Sequence, residues 1–150
     1  MRFRRAIAAD LPGCMSVRGR TRDNPLSPEQ LSTLGVTQDT WAPLIDGEQL
    51  QGFVAETATE LVGFCFGDQS SAEVLVLAVL PDYEGRGIGR RLLRNTMEGL
   101  FVMGHSRVWL AASPDPAIRA HGFYRKLGWV WDGATNEIGD QILSLCAPSA

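Results

Sequence analysis

The sequence predicts an α/β domain in which short strands alternate with helices, and three observations carry that expectation. Apolar runs of strand length recur between turn residues from Gln51 onward. The run Val74 to Leu80 leads through Pro81-Asp82-Tyr83 into three alternate glycines and then into an amphipathic stretch. A length of 150 residues with 45% apolar composition suits one domain, 1–150, around one core.

In chain order, Phe3 to Ile7 reads as a first strand, and Asp10 stands as the cap of a helix from Leu11 to Arg18 or Arg20, with Pro12 in its first turn. Thr21 to Pro28 is polar and proline-punctuated. Pro28 to Leu34 and Asp39 to Ile45 have the look of short helices. Gly52 to Thr57 and Leu61 to Gly67 form a hairpin or meander around Ala58-Thr59. Val74 to Leu80 is apolar on both faces, which predicts a central strand covered by helices. Ile88, Leu92, Leu93, Met97, Leu100 and Phe101 share one helical face, giving a helix to about Met103. Arg107 to Ala112 is a strand, and Ala117, Ala120, Tyr124 and Leu127 mark a helix that Gly128 ends. Trp129 to Trp131 and Asp140 to Leu145 are the last two strands.

Composition excludes several classes of function. Seventeen acidic against fourteen basic residues give a net charge of −3, so nothing pulls the whole molecule toward nucleic acid or an anionic membrane. No apolar run approaches the ~20 residues of a membrane-spanning helix. The basic start, Met1 to Ile7, is followed by Asp10 and Pro12 rather than by the apolar stretch of a secretory signal. Cys14, Cys65 and Cys146 are odd in number and lack C-x-x-C spacing, which fits a reducing cytoplasm and argues against disulfides or zinc. His105 and His121 have no neighbouring ligand set, so no metal is expected.

The turn Glu84-Gly85-Arg86-Gly87-Ile88-Gly89 has the chemistry of a phosphate cradle. Its glycines free the backbone, the helix that follows begins with amides lacking intrahelical partners, and Arg86, Arg90 and Arg91 add positive charge. A Rossmann turn requires a third glycine where Arg90 stands, and a P-loop requires a Gly-Lys-Ser/Thr ending that is missing.

The stretch from Leu77 to Leu93 resembles the acetyl-CoA-binding motif Q/R-x-x-G-x-G/A of the GNAT superfamily of N-acetyltransferases. Ala120-His121-Gly122-Phe123-Tyr124-Arg125-Lys126-Leu127-Gly128-Trp129 resembles that family's second signature, A-x-x-F-Y-x-x-x-G-F. The resemblance implies the GNAT fold: a central mixed, mostly antiparallel sheet of six to seven strands flanked by about four helices. Two positions depart from the pattern. Glu84 stands where Gln or Arg is usual, so its carboxylate must point away from the pyrophosphate, and Ala117 replaces a frequent cofactor-contacting Asn.

The resemblance further implies acetyl transfer to a primary amine by direct attack in a ternary complex, with acetyl-CoA as co-substrate and no metal. The pantetheine would run along Leu77, Ala78 and Val79, and the pyrophosphate would lie at Glu84, Gly85, Arg86, Gly87, Ile88, Gly89 and Arg90, with Ala117 and Ala120 beside the cofactor. Tyr124 matches the general acid that protonates the departing thiolate, and Glu73 has the offset of a general base, with a water chain as the alternative. A non-catalytic acyl-CoA sensor with the same fold is the competing function. Relatives are often homodimers. The acceptor is an amine on a small molecule or peptide, with Asp23, Asp39, Glu56, Asp132, Glu137 and Trp41 as candidates to hold it.

Overall fold

Seven strands and five helices build the molecule, a computed structural model that describes residues 1–148. The order is β1 (Arg2–Arg5), α1 (Leu11–Arg18), α2 (Pro28–Thr33), α3 (Gln38–Asp46), β2 (Leu50–Glu56), β3 (Leu61–Asp68), β4 (Val74–Val79), α4 (Ile88–Val102), β5 (Arg107–Ala112), α5 (Arg119–Lys126), β6 (Val130–Thr135) and β7 (Gln141–Cys146). All strand pairs are antiparallel, in one sheet ordered β1-β2-β3-β4 and another ordered β5-β7-β6. Among the described residues one parallel bridge, Glu73 to Trp109, joins the two where β4 and β5 begin. Beyond it the strands diverge into a fork.

The apolar stripe predicted for α4 is the one it buries: Ile88, Leu92, Leu93 and Leu100 are at most 4% exposed. Each such side chain contributes roughly 1.5–3 kcal/mol when removed from water. Helices α2 and α3 start at Ser27 and Thr37, whose hydroxyls accept from the amides of Gln30 and Thr40 in capping boxes. Gly128, at φ +94°, ends α5.

Two expectations are corrected. Asp10 makes no side-chain cap on α1. Its carboxylate instead takes both terminal nitrogens of Arg4, at 2.8 and 2.7 Å, and the amide of Ile7 at 2.8 Å. A bidentate charged pair outweighs a single cap bond. Burial alone would push the Asp10 carboxyl up, but these donors hold it below the usual range.

The second correction concerns β4, which packs against α4 and α1 but lies at the edge of its sheet rather than in the centre. Leu75 is 36% exposed, and Val76, Leu77 and Val79 are half-buried. Opposite β3, Phe66 faces Val76 while Gly67 faces Val74, so Leu75 is the extra residue of a bulge. The bulge interrupts the pairing of β4 with β3, and Leu75 to Val79 border a cleft as well as the helices.

Candidate active site

The fork opens onto a cleft of about 620 Å³. One wall is β4, the other is the end of β5 with the start of α5, and residues from α1 to α3 close over the β4 side. Because the Leu80 amide donates to Val62 of β3, strand alternation directs Ala78 toward β3 and the amides of Leu77 and Val79 toward the fork. The open edge of β4 therefore presents backbone groups of Leu77 and Val79 to the cleft.

At the mouth, Gly85 and Gly87 occupy the left-handed region at φ +75° and +81°, a conformation that side-chain-bearing residues enter only with strain. Gly87 is the N-cap of α4, and the first intrahelical bond is from the Arg91 amide to its carbonyl, at 3.1 Å. The amides of Ile88, Gly89 and Arg90 precede that bond and have no partner within the helix, the arrangement by which helix starts attract anions. Arg90 lines the cleft beside them. Arg86 lies over the Tyr83 ring at 5.1 Å and Arg91 over Phe3 at 4.2 Å, so neither lines it.

Glu84 lines the cleft, and its carboxylate is engaged by two arginines. It pairs with Arg22 at 3.0 Å and with Arg119 at 3.3 Å. Arg119 also donates its backbone amide to Asp23, at 3.3 Å. Two arginines, from the α1–α2 loop and from α5, thus gather at the mouth against Glu84 and Asp23, so the four charges balance and Arg90 adds the positive charge beside them. Neither Arg22 nor Arg119 was nominated from the sequence. Their separations from Glu84, 62 and 35 residues, leave no local signal to find them.

Deeper in, Tyr124 and Ala120 line the cleft from α5. The Tyr124 ring is buried, packed edgewise on Phe123 and Trp129 with centroids 5.2 and 5.9 Å apart. Its hydroxyl makes no hydrogen bond among the described residues. Burial, with the nearby Cys65 adding to it, pushes the phenol above its usual range, and burial pushes the Cys65 thiol itself up to about 12. Both groups are neutral and protonated across ordinary pH.

Glu73 stands at the closed end of the fork, in the bridge to Trp109, and is not among the residues lining the cleft. Burial and the charge of Asp68 raise its carboxyl. Ala117 is exposed in the loop before α5 and also lies outside the lining. Of the acceptor candidates, Asp23 and Trp41 line the cleft, whereas Asp39, Glu56, Asp132 and Glu137 do not. Glu56 is engaged by Arg4 at 2.9 Å, and Asp132 faces Arg107 at 3.7 Å. Among the described residues no group of three or more His, Cys, Asp or Glu is placed to hold a metal, and no helix is long and apolar enough to cross a membrane.

The model of the acetyltransferase (GNAT) family matches residues 18–129. No curated protein matches the chain. Among solved structures, PaiA N-acetyltransferase from Thermoplasma acidophilum, in complex with coenzyme A, is similar at 18% identity and TM-score 0.79, over 98% of this chain and 100% of that one. The ribosomal-protein-S18-alanine N-acetyltransferase of Escherichia coli matches at 22% identity and TM-score 0.71, over 99% and 95%. Aminoglycoside 6′-acetyltransferase type Ii matches at 18% identity and TM-score 0.76, over the whole of both chains. Identities this low speak for the fold, and the acceptors those names carry differ from one another.

Proposed function

Because the chain belongs to the acetyltransferase (GNAT) family, we propose that it moves an acetyl group from acetyl-CoA to a primary amine by direct attack in a ternary complex. The observation that carries this reading is the convergence in one cleft of an open β4 edge, a helix-start anion cradle and an unpartnered tyrosine hydroxyl.

The pyrophosphate binds the amides of Ile88, Gly89 and Arg90, with Arg90 supplying charge, and Gly85, Gly87 and Ala120 allow close approach. The pantetheine pairs with the outward groups of Leu77 and Val79. The Val79 amide then donates to the thioester oxygen as charge develops there. The amine lone pair forms the new N–C bond, the C–S bond breaks, and Tyr124 delivers its proton to the departing thiolate. The proton lost by the amine passes through water toward Glu73, whose raised carboxyl is a better base than an ordinary surface glutamate.

Acetyl-CoA and CoA are expected to stabilise the protein against heat, by about 2.7 kcal/mol at a hundredfold excess over Kd, or roughly 5–10 °C. ATP and NAD are expected to do nothing. The absence of a shift with either CoA species overturns the proposal. A shift without thiol release on a panel of amines assigns the protein to the sensor class instead.

If Glu73 accepts the proton, kcat/KM falls as pH drops through its carboxyl pKa, which lies above the ordinary glutamate value. Glu73→Gln is expected to lower kcat by about 10²-fold and to erase that acidic limb. An unaltered pH–rate profile removes Glu73 from the mechanism and leaves water as the only base.

A further inference from the structure

Arg18, the last residue of α1, lines the β4 side of the cleft among apolar side chains that include Leu26, Leu31, Trp41, Phe64 and Phe66. Its guanidinium is half-buried, and among the described residues no carboxylate lies within 4.0 Å of it. The two donors on Nη1 are both used, on the Thr21 hydroxyl at 3.1 Å and the Asn24 carbonyl at 2.6 Å. Those bonds fix the plane of the group. Nε and Nη2 make no hydrogen bond among the described residues, and their parallel N–H groups form the fork that matches a carboxylate in bidentate fashion.

A half-buried cation without a counter-charge is costly, and a carboxylate brought by a ligand removes that cost. Three acids of the protein line the cleft, and none lies within 4.0 Å of Arg18: Glu84 pairs with Arg22 and Arg119, Asp23 accepts from the Arg119 amide, and Asp140 stands before β7. Burial lowers the Arg18 pKa from its usual value, in keeping with a group taken out of water, yet an arginine remains charged throughout the accessible pH range.

We propose that Arg18 is the carboxylate-binding residue of the acceptor site and that the acceptor is an amine of the amino-acid type, carrying a free carboxylate and an apolar side chain. The inference rests on the acetyl-transfer reading and narrows its acceptor. The Nε–Nη2 fork takes the carboxylate, the aromatic and leucine walls take the side chain, and the amine is left free to face the β4 edge.

The test compares leucine, methionine and phenylalanine with their carboxamides, by thiol release with acetyl-CoA and by NMR titration without it. At least one free acid is expected to be preferred over its carboxamide by roughly 10- to 100-fold, the range of a charge-assisted pair. Arg18→Met is expected to remove that preference by weakening the acid alone, and Arg18→Lys to restore part of it, since lysine keeps the charge but not the fork. The CoA-induced thermal shift, measured on the same variants, checks that they fold. Equal or better binding of the carboxamides by the unaltered protein, no binding of any acid, or equal loss of acid and amide in Arg18→Met overturns the proposal. In the last case Arg18 only holds the loop from Thr21 to Asn24. Acid binding that Arg18→Met abolishes, without thiol release, upholds the carboxylate site while the transfer reading fails.

Discussion

Replacing Tyr124 with phenylalanine is expected to lower kcat by about 10²- to 10³-fold, the span of a lost general acid, with little change in stability or in the affinity for CoA. The separation of these effects follows from the geometry. The ring is held edgewise by Phe123 and Trp129, contacts that phenylalanine keeps. The hydroxyl has no hydrogen-bond partner among the described residues, so its removal orphans no buried group. A thiolate leaving a thioester requires a proton or an equivalent charge. Tyr124 retains its proton well into alkaline pH because burial disfavours the phenolate. The decline of activity at high pH should therefore lie above the ordinary tyrosine range in the unaltered enzyme. Steady-state kinetics with several amines measure this directly, and a kcat within a few-fold of the original would assign Tyr124 to packing alone.

A second large effect is expected at Gly52, beneath the Phe66 and Trp41 wall of the cleft. Gly52 faces Phe66 across β2 and β3. A Cβ at Gly52 would stand 2.4 Å from the Cys65 carbonyl oxygen and 2.4 and 2.7 Å from two carbons of the Phe66 ring. Phe66 is fully buried and has no room to yield, with its ring against Trp41 at 5.4 Å and Phe64 at 6.0 Å. The carbonyl belongs to a strand paired on both sides, with Cys65 opposite Phe53 and Leu77. Gly52→Ala is thus expected to destabilise the fold by about 3 kcal/mol, the upper part of the usual range for overpacking, seen as a lower denaturant midpoint at unchanged m-value. Because the strain enters through Phe66 and Trp41, KM for the acceptor should rise more than KM for acetyl-CoA. A neutral effect on the midpoint would show that Phe66 has an alternative position.

The elements that were legible beforehand are those with local signals. The α4 stripe repeats at helical spacing, the glycines of the turn announce left-handed backbone, and Gly128 closes α5. Ser27-Pro28-Glu29-Gln30 is a capping-box sequence within the polar segment, a local start signal for α2 in a stretch otherwise hard to interpret. An aspartate before a helix is a cap by pattern, whereas the stronger attraction of Arg4 for Asp10, six residues back across a turn, is a matter of three-dimensional proximity. The carboxylates nominated for the acceptor met the same difficulty: Glu56 has the right charge, and its neighbours Arg4 and Arg2 come from an adjacent strand.

What the amino-acid sequence determined by itself is the succession of strands and helices and the glycine turn that opens α4 at Glu84 to Arg90, since periodicity, glycine torsions and a free helix start act within a few residues of one another. The tertiary structure alone decided that β4 borders an open fork, because the pairing of β4 depends on the bulge at Leu75 and on which strand lies beyond it. It also decided that Glu84 turns to Arg22 and Arg119 and that the Nε–Nη2 edge of Arg18 meets no partner among the described residues. Charges on distant segments find or miss their partners only when the chain has folded, and no spacing along the sequence records which of the two occurs.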